Sequence, residues 1–159
     1  MSIATVNPPQ QLHFFAQFCS TILHNAQMPY PVVMLALAFV HRVKSVSTIR
    51  GLPGSEIRIF VCALMSAAKF LLDNSFSNKT WRTLSCIPLV ELNATEIEFL
   101  SIMNYDLSMP TAVYDQWIGL VEEKAAEYKS LITMGAFASS PFYSFQCQKA
   151  QLHPCLRHV

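Results

Sequence analysis

Few side chains in this sequence combine a type and a spacing that could do chemistry, and the most telling is a lysine. Residues 59–72 read IFVCALMSAAKFLL, apolar except for Ser66 and Lys69. An ammonium is almost never fully buried without a partner. Lys69 therefore either snorkels to the rim along its aliphatic stem or meets a partner group at a protein surface. Glu96 is the second such residue. In Asn93-Ala-Thr-Glu96 it has the spacing of a capping box, in which Asn93 takes a backbone N–H and Glu96 reaches back to the Asn93 amide. Leu92 and Ile97 then hold the two positions of a hydrophobic staple. Read instead as a helical face, Glu96, Leu100 and Leu107 lie on one side (i, i+4, i+11), and Phe99, Ile102 and Met103 toward another. One face would serve the core and the other a partner.

The remaining chemistry is weaker. Cys147, His153, Cys155 and His158 form a C-x5-H-x-C-x2-H string, but zinc sites show tighter paired spacing. His41, on an apolar stretch beside Arg42, reads as a core or interface histidine rather than a catalyst. The four glycines, Gly51, Gly54, Gly119 and Gly135, build no GxGxxG and no GxxxxGK[ST] phosphate loop. Neither a G-x-S-x-G elbow nor H-E-x-x-H occurs, and the carboxylates are scattered without an acid–base pair. Nothing argues for an enzyme.

Helices must position these residues, because proline and glycine punctuate an otherwise helical pattern and no stretch sustains strand-like alternation. Residues 10–27 place Leu12, Phe15, Phe18, Ile22 and Leu23 at amphipathic spacing. Met28-Pro-Tyr-Pro31 breaks that run, and Pro31 suits the first turn of a second helix reaching about Val46, whose alanines would admit a close neighbour. Gly51-Leu-Pro-Gly54 is a turn, with Ser55 as N-cap of the helix that carries Lys69. That stretch is too short for a bilayer, which needs ~20 apolar residues, and too apolar all round for a surface helix, so it reads as the buried centre of a bundle. Ser77 caps a short helix from Asn78 to about Cys86. A fifth runs from the capping box to about Tyr105 and stops before Pro110. Thr111 caps a sixth, with Tyr114, Trp117, Leu120 and Val121, ending near Lys129. The signal decays beyond Ser130. The expected fold class is all-α, with an N-terminal extension (1–9), a helical domain (10–129) and a tail (130–159).

Composition bounds the function. The chain has 159 residues, enough for one domain with a real core. Charged residues make up 13% and apolar ones 52%, against roughly 25% charged in an average domain, so a sizeable apolar patch should remain exposed as a partner site. A net charge of +1 without a basic block argues against a nucleic-acid footprint. The five cysteines, Cys19, Cys62, Cys86, Cys147 and Cys155, are odd in number and form no CxxC. With no signal-peptide pattern at the start, they are expected to be reduced thiols in an intracellular protein.

Several ordered motifs resemble the cyclin box, most closely that of the fungal single-box cyclins of the PCL, or phosphate-sensing, group. They are Phe39-Val-His-Arg42, Arg58-Ile-Phe60, Ala67-Ala-Lys-Phe70, Phe76-Ser-Asn78-x-x-Trp81, Ile87-Pro-Leu89, Glu96-x-Glu-Phe-Leu100 and Tyr105-x-Leu107-x-x-Pro110, spanning residues 35–121. The resemblance implies a five-helix box around a central apolar helix, with a flanking C-terminal helix, that binds and activates a cyclin-dependent serine/threonine kinase as a heterodimer. It implies a phosphate-pathway-like kinase as partner, no nucleic acid or membrane, no catalytic residue, no metal and no cofactor, in the nucleus or cytoplasm. Lys69 and Glu96 match the family's lysine and glutamate, which bond main-chain groups around the kinase's regulatory helix. Ala67, Phe70, Leu100, Tyr105 and Leu107 match the apolar positions of the same groove. On this reading the partner of Lys69 lies on another chain. The sequence departs from the family at Leu72, where an acidic residue is frequent, at Cys86, where glycine is common, and at His41, which replaces an aspartate. Competing readings are a cyclin-fold adaptor or transcription factor without a kinase, which should show a basic face if it binds DNA, and a small helical enzyme, which needs a pocket of convergent titratable groups.

Overall fold

The computed structural model describes residues 8–46 and 55–133. They form six helices, α1 (Pro8–Ala26), α2 (Tyr30–Val46), α3 (Ser55–Leu71), α4 (Asn78–Ser85), α5 (Leu89–Ile102) and α6 (Thr111–Thr133), and no strand occurs among the described residues. The chain divides into two compact units, one holding α1 to α5 and the other α6.

In the five-helix unit α3 is the centre. Every residue from Phe60 to Ala68 is buried, so over this stretch the helix presents no face to solvent, as its composition requires. It touches α1, α2 and α5. The contact with α2 is the most extensive, and Ala36 and Ala38 are buried in α2, in keeping with a small-residue surface that lets backbones approach. α1 contributes Ile22 and Ala26 to the core, and Phe15 meets Phe60 edge to face with centroids 6.1 Å apart. α1 ends at Ala26, and Gln27 after it turns left-handed at φ 46°. The Pro29 carbonyl accepts the Val32 and Val33 N–H groups to open α2. Ser55, expected to precede α3 as its cap, is instead the first helical residue. Among the described residues no helix is long and apolar enough to cross a membrane.

Lys69 opens the last turn of α3, where burial stops. Phe70 and Leu71 are exposed beside it. α4 starts as expected, with the Ser77 hydroxyl accepting the Thr80 N–H at 3.4 Å. Its Trp81 is fully buried, edge-on to Phe76 with ring centroids 6.0 Å apart. Cys86 closes it at φ 58°, its N–H bonded to the Arg82 carbonyl. This is the left-handed conformation that glycine adopts without strain, so the departure at Cys86 does place a side chain where the backbone disfavours one.

α5 differs from the expectation at both ends. It begins at Leu89 with Pro88 before it and no side-chain cap, so Asn93 and Glu96 lie inside the helix and form no capping box. The proline's fixed φ suits a helix entry by itself, and Ile97, placed at a staple position, is exposed. At the other end the helix stops at Ile102. Asn104 and Tyr105 both turn left-handed, at φ 52° and 57°, and the Tyr105 N–H bonds back to the Leu100 carbonyl at 2.8 Å, the wrap that terminates helices. From α2, Arg42 donates to the Asp106 carbonyl at 2.6 Å and fixes this turn. The expected division of faces holds at Phe99 and Met103, both buried, and at Glu96 and Leu100, both partly exposed.

α6 starts after Pro110, whose carbonyl accepts the Val113 and Tyr114 N–H groups. Thr111 is its first residue rather than a preceding cap, and the helix continues past the expected end near Lys129 to Thr133. Tyr114, Trp117, Ile118 and Val121 form its less exposed stripe.

Candidate functional site

Three helices bring four polar side chains together. Lys69 comes from the last turn of α3, Asn78 from the first residue of α4, and Asn93 and Glu96 from one face of α5, three residues apart. The Lys69 ammonium donates to Glu96 Oε1 at 2.6 Å and to Asn78 Oδ1 at 2.6 Å. Asn78 Nδ2 donates to Glu96 Oε2 at 2.8 Å and to Asn93 Oδ1 at 2.8 Å. The Lys69 side chain is 35% exposed and that of Glu96 only 14%. The cluster thus lies at the rim, with the carboxylate the deeper member.

This corrects one expectation. The cation that interrupts the apolar helix finds its counter-ion in its own chain rather than on another one. The reason is the packing of α3 against α5, which brings Glu96 against the last turn of α3. A carboxylate at 14% exposure needs charge and hydrogen bonds to offset its lost hydration, and Lys69 and Asn78 supply both. A second pair, Arg58 Nε with Glu91 Oε1, ties the first turn of α3 to the first turn of α5, so ion pairs hold the two helices near each end of α3.

The apolar members of the predicted site divide into two groups. Phe70, 51% exposed, follows Lys69, and Tyr105, 64% exposed, stands on the left-handed turn after α5. Leu100 and Leu107 are partly exposed. Ala67 is fully buried and so underlies this surface rather than facing out of it. The structure therefore joins Lys69 to Glu96 directly and sets Phe70 beside them in sequence, while Leu100 and Tyr105 share the end of α5. By sequence Asn78 reads as the start of a short helix and Asn93 as a cap; nothing in their local sequence distinguishes an asparagine that bridges helices from one that starts a helix.

Beneath the cluster, Cys62 lies two helical turns before Lys69 on α3 and is fully buried. Burial, then the nearby Glu96 charge, pushes its thiol up to about 12, against an opposing pull from Lys69. Burial likewise raises Cys19 to about 12. Neither is a nucleophile near neutral pH. Among the described residues, Cys19, Cys62 and Cys86 form no disulfide. His41 is exposed on α2. No group of His, Cys, Asp or Glu among the described residues could hold a metal ion; the string from Cys147 to His158 lies outside them.

Comparison with known proteins meets this geometry from another direction. The family model described as Cyclin matches residues 6–107, the span of the five-helix unit and its following turn. The G1/S-specific cyclin pas1 of Schizosaccharomyces pombe is 32% identical over 116 residues, covering 69% of this chain and 28% of that protein. PHO85 cyclin-5 of Saccharomyces cerevisiae is 28% identical over 135 residues, 81% of this chain and 57% of the relative. PHO85 cyclin-9 of the same yeast is 30% identical over 98 residues, 59% of this chain and 32% of the relative. The chain thus spans between 28% and 57% of the length of these relatives. No solved structure matches it.

Proposed function

The chain belongs to the cyclin family, and from that premise we propose that it is a non-catalytic regulatory subunit that binds and activates a cyclin-dependent serine/threonine kinase as a heterodimer. The PHO85 cyclins among its relatives favour a kinase of the phosphate-pathway type, met inside the cell in the nucleus or cytoplasm. The observation that carries the reading is the Lys69–Glu96 pair at the rim, with the exposed rings of Phe70 and Tyr105 near by in the chain. Polar anchors beside exposed apolar side chains suit a helix laid into a groove. Lys69 and Glu96 offer their remaining hydrogen-bonding capacity to main-chain groups of the kinase's regulatory helix. Phe70, Leu100, Tyr105 and Leu107 supply apolar contact, and Ala67 supports them from within the core.

Docking holds the kinase helix inward, where its glutamate pairs with the lysine that binds nucleotide phosphates, an arrangement phosphoryl transfer requires. The cyclin contributes differential affinity for that arrangement and no chemistry. A stable contact of this kind buries at least ~1,000 Å² in total.

A charge swap tests the site. Lys69→Glu combined with Glu96→Lys keeps an ion pair between α3 and α5 but inverts what it offers outside. The double variant is expected to retain its helical circular dichroism and cooperative melting while losing co-purification with the kinase, a cost of several kcal/mol. If the swapped protein binds and activates the kinase like wild type, Lys69 and Glu96 are not the anchors.

A further inference from the structure

We propose that Asn78 is the positioning residue of the docking site: its amide sets the orientation in which Lys69 and Glu96 meet a partner. This rests on the kinase-binding reading above and goes beyond it, since nothing there gives Asn78 a role. The case is one of valence. A primary amide has two N–H donors and one carbonyl acceptor, and in Asn78 all three functions are engaged. Oδ1 accepts from the Lys69 ammonium, while the two protons of Nδ2 go to Glu96 Oε2 and Asn93 Oδ1. The amide has no remaining donor with which to serve a partner; its function is directed inward.

Its neighbours are left incompletely used. Lys69 has three ammonium protons and directs two at Glu96 and Asn78. Each Glu96 oxygen accepts one bond, Oε1 from Lys69 and Oε2 from Asn78, and a carboxylate oxygen has room for a second. Asn78 therefore converts a single hydrogen bond between two flexible side chains into a closed ring of three groups. In that ring the third ammonium proton and the spare carboxylate lone pairs keep fixed directions. Its own placement is secure. It follows the capping Ser77, whose hydroxyl holds the Thr80 N–H, and Asn93 selects the amide rotamer because its oxygen accepts only from Nδ2. A long ammonium side chain at 35% exposure would otherwise lose this order to its rotamer freedom.

The test uses Asn78→Ala and the isosteric Asn78→Asp, each alone and with Lys69→Met. The probe is the yeast kinase for which the PHO85 cyclins are named. Asn78→Ala is expected to weaken binding by about tenfold in the wild-type background and by less than about twofold in the Lys69→Met background, because the two residues act as a unit. Asn78→Asp has the right shape but turns an acceptor toward Glu96 Oε2 and Asn93 Oδ1, so it should bind more weakly than Asn78→Ala. Were Asn78 only a packing residue, Asn78→Asp would lie nearest wild type. In the free protein, the Lys69 ammonium signal in ¹H–¹⁵N NMR should broaden or vanish on Asn78→Ala. Additive losses with Lys69→Met, or Asn78→Asp matching wild type, overturn the proposal. An unchanged Lys69 signal overturns it in the free chain regardless of any kinase. Failure of the wild-type protein to bind removes the kinase reading and the docking role of Asn78 with it, while the NMR arm still reports separately whether the ring orders Lys69.

Discussion

Cys62 is the residue whose surroundings most directly set a measurable property. Its thiol is shifted from 9.0 to about 12, by burial first and the Glu96 charge second. The neutral form is therefore favoured in the folded chain. Below the unfolded-state value near 9 both states hold the proton and the contribution to stability is fully present. As pH rises from about 9 toward about 12 the unfolded chain releases its proton first, and stability falls. The expected outcome is that iodoacetamide leaves Cys62 unmodified in the native protein at pH 8 but labels it after unfolding, read by mass spectrometry. Rapid native labelling would mean that the α3 core opens. At this scale the sequence was a partial guide. It marked Lys69 and Glu96 as the residues to watch, and it marked Cys86 as a misfit that the structure places at φ 58°. It did not reveal that Lys69 and Glu96 answer each other, because their separation along the chain says nothing about which turns of α3 and α5 come to lie together.

Among the helices, α3 was the most legible and α5 the least, for one physical reason. An all-apolar stretch has a single stable environment, so its burial follows from composition alone, and Phe60 to Ala68 comply without exception. Asn93-x-x-Glu96 has two satisfactory environments, a helix start or a bridge to another helix, and local sequence does not separate them. Pro88 had already provided the start of α5, which freed both side chains for Asn78 and Lys69. The energetics of the α3 contacts should be correspondingly uneven. Leu64, fully buried, should cost ~2–5 kcal/mol when replaced by alanine, through lost transfer energy and the cavity left behind. Arg58→Ala removes an ion pair whose side chains are 43% and 37% exposed, and should cost under about 1 kcal/mol. Urea unfolding of the two variants checks the contrast; equal losses would mean that α3 is held by its ends rather than its core.

For the molecule as a whole, the low charge content leads to an expectation of exposed apolar surface, and Phe70, Ile97 and Tyr105 are individually exposed. The cyclin match ends at residue 107, before α6, whose first turn the sequence marked through Pro110 and Thr111 although its length depends on residues with little periodic signal. One consequence of the closed Lys69–Asn78–Glu96 ring reaches beyond the fold. A lone ammonium would draw a partner through a field that dissolved ions screen. Here the positive charge is already cancelled at 2.6 Å, so complex formation through this patch neutralises no net charge. The equilibrium dissociation constant for the kinase should therefore change little, by about threefold or less, between 50 mM and 500 mM sodium chloride. Calorimetry or interferometry across that range would read it. A steep loss of affinity with added electrolyte would mean that the ring opens on association and that its cation and anion seek separate mates.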